Sequence, residues 1–104
     1  MTIETPDTVP IAALQRELER QLDERLLAIQ ELQPFAAPSV DPVAYQATAS
    51  HRLAVDQITA ALNRISAGTY GRCVRCGNQI APARLEVLPS AAACIECQSH
   101  AEAA

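Results

Sequence analysis

Four cysteines are the residues in this 104-residue chain whose type and spacing can do chemistry together. They stand as Cys73-Val-Arg-Cys76 and Cys94-Ile-Glu-Cys97, two C-x2-C pairs with seventeen residues between them. A two-residue gap lets both thiolates of a pair face one ion while backbone amides of the turn donate to the sulfurs. Gly77, directly after Cys76, supplies the freedom in φ that such a turn needs. Two pairs close a tetrahedral site, and all-thiolate tetrahedral ligation selects zinc or iron. Four protein ligands leave no open position for water. The expected role is therefore structural, with one Zn(II) per chain held by Cys73, Cys76, Cys94 and Cys97. Iron in the same cage and a redox-labile pair are the alternatives. A thioredoxin-like pair asks for a helix start in a βαβ setting, which the sequence does not offer. Nothing else resembles a catalytic constellation: there is no Ser/His/Asp arrangement or Gly-rich phosphate loop, and His51 and His100 are far apart. An enzyme is not expected.

The elements that must position the cysteines are helical. Ile11, Leu14, Leu18, Leu22, Leu26, Ile29 and Leu32 recur at steps of three or four, averaging 3.5 residues, with Gln, Glu and Arg between them. Asp7 or Thr8 can cap this first helix, Pro10 suits its first turn, and Pro34 stops it. Asp41-Pro42 then reads as an N-cap followed by Pro at the first helical position. Ala44, Thr48, His51, Val55, Ile58, Leu62 and Ile65 form a second seam, which Gly68 ends. Helices over about 10–33 and 42–66 would measure roughly 34 and 37 Å. Joined by the short link 34–40, they can pair only antiparallel, with a tip over 34–41. The fold class is mainly α: a two-helix coiled-coil hairpin, then a small four-cysteine finger with a short C-terminal helix. The division is 1–66 for the N-terminal arm and hairpin, and 67–104 for the finger. Within the finger, Tyr70, Val74, Ile80, Leu85, Val87, Leu88 and Ile95 are the expected core. Residues 79–88 are expected as a small hairpin or irregular loop, and 91–101 as the helix carrying the second pair.

Composition bounds the partner. Eight arginines and no lysine stand against twelve acids, a formal charge of −4, which becomes −6 with four thiolates and one Zn(II). The acidity lies in residues 1–33, where seven acids face three arginines; 34–66 and 67–104 are each balanced. Nothing in the motifs requires the absence of lysine. Such a chain is not expected to grip duplex DNA through net charge, and it suits a protein partner with a basic channel or surface. No run approaches the eighteen apolar residues of a membrane span, and Met1 to Pro10 lack the regions of a secretory signal, so a cytoplasmic location is expected. Asp41, Phe35 and Tyr45 flank the tip as candidate partner contacts; Asp41 also has its capping role, and the two aromatics can simply close the turn. His51 reads as a half-buried spacer, and Arg72, Arg75 and Arg84 as surface charges or partner contacts.

The stretch Ala61-Leu-Asn-Arg-Ile-Ser-Ala-Gly-Thr-Tyr-Gly-Arg-Cys-Val-Arg-Cys-Gly, with Ile80, Arg84-Leu-Glu, Pro89, Ala91 and Cys94-Ile-Glu-Cys-Gln98, resembles the DksA/TraR-type zinc-finger family. The resemblance implies a non-catalytic transcription regulator that binds RNA polymerase directly rather than DNA. Its coiled coil would enter the secondary channel, with the zinc at the base. Family tips carry an aspartate pair with two residues between its members; Asp41 matches the first, and the second position is Ala44. The family's basic positions after the last cysteine are Gln98, Ser99 and His100 here, so no site for the alarmone ppGpp is carried onto these residues. A zinc-ribbon nucleic-acid binder and a diverged protein-binding adaptor are the other function classes.

Overall fold

The structure is a computed structural model that describes residues 10–103. Its longest elements are α1 (Ile11–Leu32) and α2 (Pro42–Ala67), packed antiparallel. A single 3-10 turn, Gln33–Phe35, closes α1. The expected hairpin and its tip are present with boundaries shifted by about one residue. Asp7 and Thr8, the expected caps of α1, lie outside the described residues; the Pro10 carbonyl accepts the Leu14 N–H at 3.0 Å.

α2 is bounded by the two devices its sequence announces. Asp41, extended at φ −150°, accepts the Val43 and Ala44 N–H groups on Oδ1 at 3.0 and 3.1 Å, and Pro42 follows at a position where no amide proton is needed. At the other end Gly68 turns left-handed at φ 78°. The Thr69 N–H then reaches the Arg64 carbonyl at 2.9 Å and the Gly68 N–H the Ile65 carbonyl at 3.2 Å, a Schellman closure.

The seam is driest at the base. Leu18, Ile58 and Ala61 form one buried cluster, flanked by Leu22, Leu62 and Ile65. Ala61, absent from the expected seam, is fully buried because a methyl side chain lets the helices approach closely. Toward the tip, Ala44 and Thr48 are buried, and the Thr48 hydroxyl donates back to the Ala44 carbonyl at 2.9 Å. Between these zones lies a polar layer in which Arg25 Nη1 stands 3.0 Å from His51 Nδ1. Ile11 and Leu26, expected in the seam, are instead 43% and 47% exposed. Ile11 is the end position of the series, where a 3.5-residue repeat drifts off the contact line of a straight helix of 3.6 residues per turn; Leu26 lies inside the series, next to Arg25 of the polar layer, and Ile29 and Leu32 beyond it are half-buried again.

After Gly68 the chain folds against the base of the hairpin. A one-residue antiparallel bridge pairs Arg72 with Gln79 around the first cysteine pair. Residues 79–88, expected as a hairpin or loop, contain a short helix α3 (Pro82–Val87), with Pro82 at its start where a missing N–H costs nothing. The last helix, α4 (Ile95–Ala103), begins four residues later than the expected start at Ala91. The finger core also differs from expectation. Ile80 and Leu85 are buried and Tyr70 is half-buried, but Val74, Val87, Leu88 and Ile95 are 63%, 85%, 46% and 59% exposed. Ala91 and Ala93 take their place, together with Leu14 from α1, in one cluster around Cys73.

Candidate metal centre

Each cysteine pair sits on its own knuckle. The first is the tight turn from Gly71 to Ile80. The Cys73 N–H donates to the Asn78 carbonyl at 2.8 Å, the Gly77 N–H to the Cys73 carbonyl at 2.9 Å, and the Ile80 N–H to the Gly71 carbonyl at 2.8 Å. Gly77 is left-handed at φ 77°, the conformation the sequence assigned to it. In the second knuckle Cys94 immediately precedes α4 and Cys97 lies in its first turn, so the helix start sets their separation. One backbone bond ties the knuckles together: the Val74 N–H donates to the Ala92 carbonyl at 2.9 Å.

This arrangement brings all four sulfurs within 4.8 Å of one another, with Cys76 and Cys94 at 3.9 Å. A tetrahedron with metal–sulfur bonds of about 2.3 Å has edges of about 3.8 Å, so the cluster is of the size to hold one ion. Amides are also in place. The Arg75 N–H points at Cys73 Sγ and the Cys97 N–H at Cys94 Sγ, each at 3.4 Å. Backbone donors from Cys94, Cys76 and Arg75 hold the Cys73 thiol down at about 6. Hydrogen bonding with the Cys94 and Cys73 side chains pushes Cys97 up to about 12. Four crowded sulfurs cannot all ionise unaided; a divalent cation supplies what the amides alone do not. The donor set therefore fits a soft-ligand metal in a closed site.

Two arginines secure the approach to the second knuckle. Arg84 Nε donates to the Ala93 carbonyl at 3.2 Å, and Arg64, from the last turn of α2, makes two longer contacts to the Ser90 and Ala91 carbonyls. Arg64 Nε is enclosed without a hydrogen-bond partner among the described residues, and burial pushes this guanidinium down from its ordinary value. Arg84 is thus a structural clasp rather than a simple surface charge; Arg72 and Arg75 are exposed as a sequence reading allows. The Tyr70 hydroxyl donates to the Pro89 carbonyl at 2.7 Å, binding the same segment from the other side. No periodicity foretells these side-chain to carbonyl bonds, because their acceptors are backbone atoms whose positions depend on the finished loop.

The other candidate residues gather at the opposite end of the hairpin. Phe35 is 54% and Tyr45 48% exposed, and Asp41 caps α2 between them. The length of α2, roughly 39 Å at about 1.5 Å per residue, separates this tip from the cysteines. Among the described residues no helix is long and apolar enough to cross a membrane.

Residues 68–103 match the family model described as the prokaryotic dksA/traR C4-type zinc finger. The solved structure of transcription factor DksA2 from Pseudomonas aeruginosa is similar at a TM-score of 0.72 and 27% identity, over 88% of this chain and 81% of that one. Residues 68–103 are thus a DksA/TraR-type C4 zinc finger, and the DksA2 likeness supports the same assignment for the chain that carries it. A protein from Aquifex aeolicus (strain VF5), described only as uncharacterised, is 28% identical over 95 residues. That match takes in 86% of this chain and 66% of the relative, so the chain spans somewhat less than two thirds of its length. The DksA/TraR resemblance of the cysteine stretch thus extends, through the DksA2 fold, to the hairpin.

Proposed function

We propose that this DksA/TraR-type protein is a non-catalytic transcription regulator of the cytoplasm that binds RNA polymerase directly. The hairpin enters the secondary channel, and Cys73, Cys76, Cys94 and Cys97 hold one structural zinc at its base. The observation that carries the reading is the likeness to transcription factor DksA2 over hairpin and finger together. The finger supplies a rigid base and the hairpin a narrow, extended reach; among the described residues neither offers a pocket with an open metal position or a nucleophile–base pair. When bound, zinc supplies cross-linking of the two knuckles and neutralisation of crowded thiolates.

At the tip, Asp41, Phe35 and Tyr45 are the contacts proposed for the partner. Asp41 has one oxygen committed to capping, which leaves its second oxygen for a partner atom. Ala44, at the second acid position of the family tip, is buried and adds no charge. A dependence on ppGpp forms no part of the proposal. The functional units are the hairpin, 1–66, and the finger, 67–104, although Leu14 and Tyr70 join them physically.

Binding to purified core RNA polymerase, with transcription output measured in parallel, tests this. Wild-type protein is expected to bind stoichiometrically. Asp41→Ala should bind nearly as well and alter the output, whereas Cys73→Ser should lose zinc and fold poorly. Absence of wild-type binding at micromolar concentration ends the proposal. Steep, salt-sensitive binding to DNA in place of polymerase would favour a nucleic-acid role instead.

A further inference from the structure

The hairpin of α1 and α2 is held differently on the two sides of one polar layer. Both buried clusters lie on the base side. One is Leu18, Ile58 and Ala61, packed by Leu22, Leu62, Ile65 and Tyr70; the other surrounds Cys73 and takes in Leu14. On the tip side the buried residues are Ala44 and Thr48. Ile29 and Leu32 on that side are half-buried, and Leu26 and Leu27 are largely exposed. An alanine and a threonine remove far less apolar surface from water than the leucine and isoleucine at the base.

The layer itself is Arg25 and His51, both half-buried, with Nη1 3.0 Å from Nδ1. It is the only side-chain hydrogen bond between α1 and α2 among the described residues. An arginine keeps its charge and only donates, so the imidazole nitrogen facing it is the acceptor. Neither ion pair among the described residues includes Arg25; both belong to Arg20. A charge drawn partly out of water and given a neutral partner is held at a cost, and well-packed apolar side chains in its place are often the more stable arrangement. The layer therefore interrupts the seam. The remaining bonds of the tip half are local: Asp41 accepts from Val43 and Ala44, and Thr48 donates to the Ala44 carbonyl, all at one end of α2. They stabilise that helix end without tying it to α1. Beyond the layer α1 extends only over 26–32, and α2 only over 42–50. Helical stretches below about 12–15 residues are marginal in water without packing.

We propose that the tip half of the hairpin, residues 26–50, is a separate opening unit. It unfolds and refolds while the base and the four-cysteine finger stay intact, and the Arg25–His51 layer is its boundary. Asp41, Phe35 and Tyr45 all lie inside it. These side chains are thus presented by a segment that changes shape without disturbing the metal centre. The opening is a property of the free chain and stands apart from the polymerase reading.

Amide hydrogen exchange of the full, zinc-loaded chain, read residue by residue by NMR at increasing urea, tests this. Amides at 29–32 and 46–50 should be protected about a hundredfold less than those of Leu18, Leu22, Ile58 and Leu62. Their opening should respond only weakly to urea, because it exposes little surface. Arg25→Met combined with His51→Leu should raise tip protection about tenfold by making the seam continuous. Ile58→Val, inside the base cluster, should lower base protection about fivefold and leave the tip within about twofold of wild type. Equal protection and equal urea dependence in the two halves would overturn the unit. So would a tip that loses protection in step with the base in Ile58→Val. Tip protection unmoved by the paired substitution, with zinc content and helicity retained, overturns the layer as the boundary.

Discussion

Tyr70 shows how much one side chain can connect. Its ring touches both the seam cluster and the finger cluster, and its hydroxyl donates to the Pro89 carbonyl at 2.7 Å. Burial raises its pKa above the ordinary phenol value, with Arg64 opposing the shift. Since the folded value is the higher one, this stabilisation is intact below pH about 10 and is lost as pH rises through the raised value. Tyr70→Phe should therefore cost about 1 kcal/mol in urea unfolding at pH 7 and soften the alkaline loss of stability. An unchanged alkaline limb in the variant would show that another group controls it. The sequence marks Tyr70 through the Gly-Thr-Tyr-Gly motif and as a finger core residue. Its place between two clusters depends on how the finger meets the hairpin.

At the scale of elements, the hairpin is a narrow two-helix contact whose strength is uneven along its length. Leu18 is fully buried against Ile58 and Ala61, near the base, and is the largest fully buried side chain of the seam. Leu18→Ala should cost about 3 kcal/mol, measured by thermal or urea unfolding. Leu26→Ala, at a position 47% exposed, should cost well under half of that despite occupying the same sequence repeat. Equal losses would mean that the helices contact one another along the whole heptad line. The repeat announces both leucines alike; the supercoil, and the residues facing them, decide which one meets a partner. The half-buried Arg25–His51 pair lies in the same category. Its seam position is legible for His51, but Arg25 reads as a surface residue until the opposite helix supplies an acceptor.

Across the whole molecule, the finger and the hairpin base are one packed body. Leu14 of α1 lies in the cluster that surrounds Cys73, and Arg64 of α2 reaches the loop before Cys94. Metal ligation in small modules contributes on the order of 10 kcal/mol. Removing zinc with a chelator should therefore lower the melting temperature of the entire chain and abolish the near-ultraviolet signal of Tyr70. Much of the far-ultraviolet helicity should remain, because α1 and α2 hold their seam through Leu18, Ile58 and Ala61. Stoichiometric zinc should restore both signals. Retention of the full melting temperature without metal would show that the alanine-lined core of the finger is sufficient alone.

The four cysteines, the two helices and their punctuation were determined by sequence alone. Ligand spacing, apolar period, Asp41-Pro42 and Gly68 act through local geometry, and local geometry survives in any context. Tertiary structure alone decided which apolar residues are inside. Val74, Leu88 and Ile95 read as core from their chemistry, and the finger turns them outward because Ala91, Ala93 and Leu14 fill the small space around Cys73. A metal-held module encloses little volume, so small side chains complete it and large ones are left at the surface.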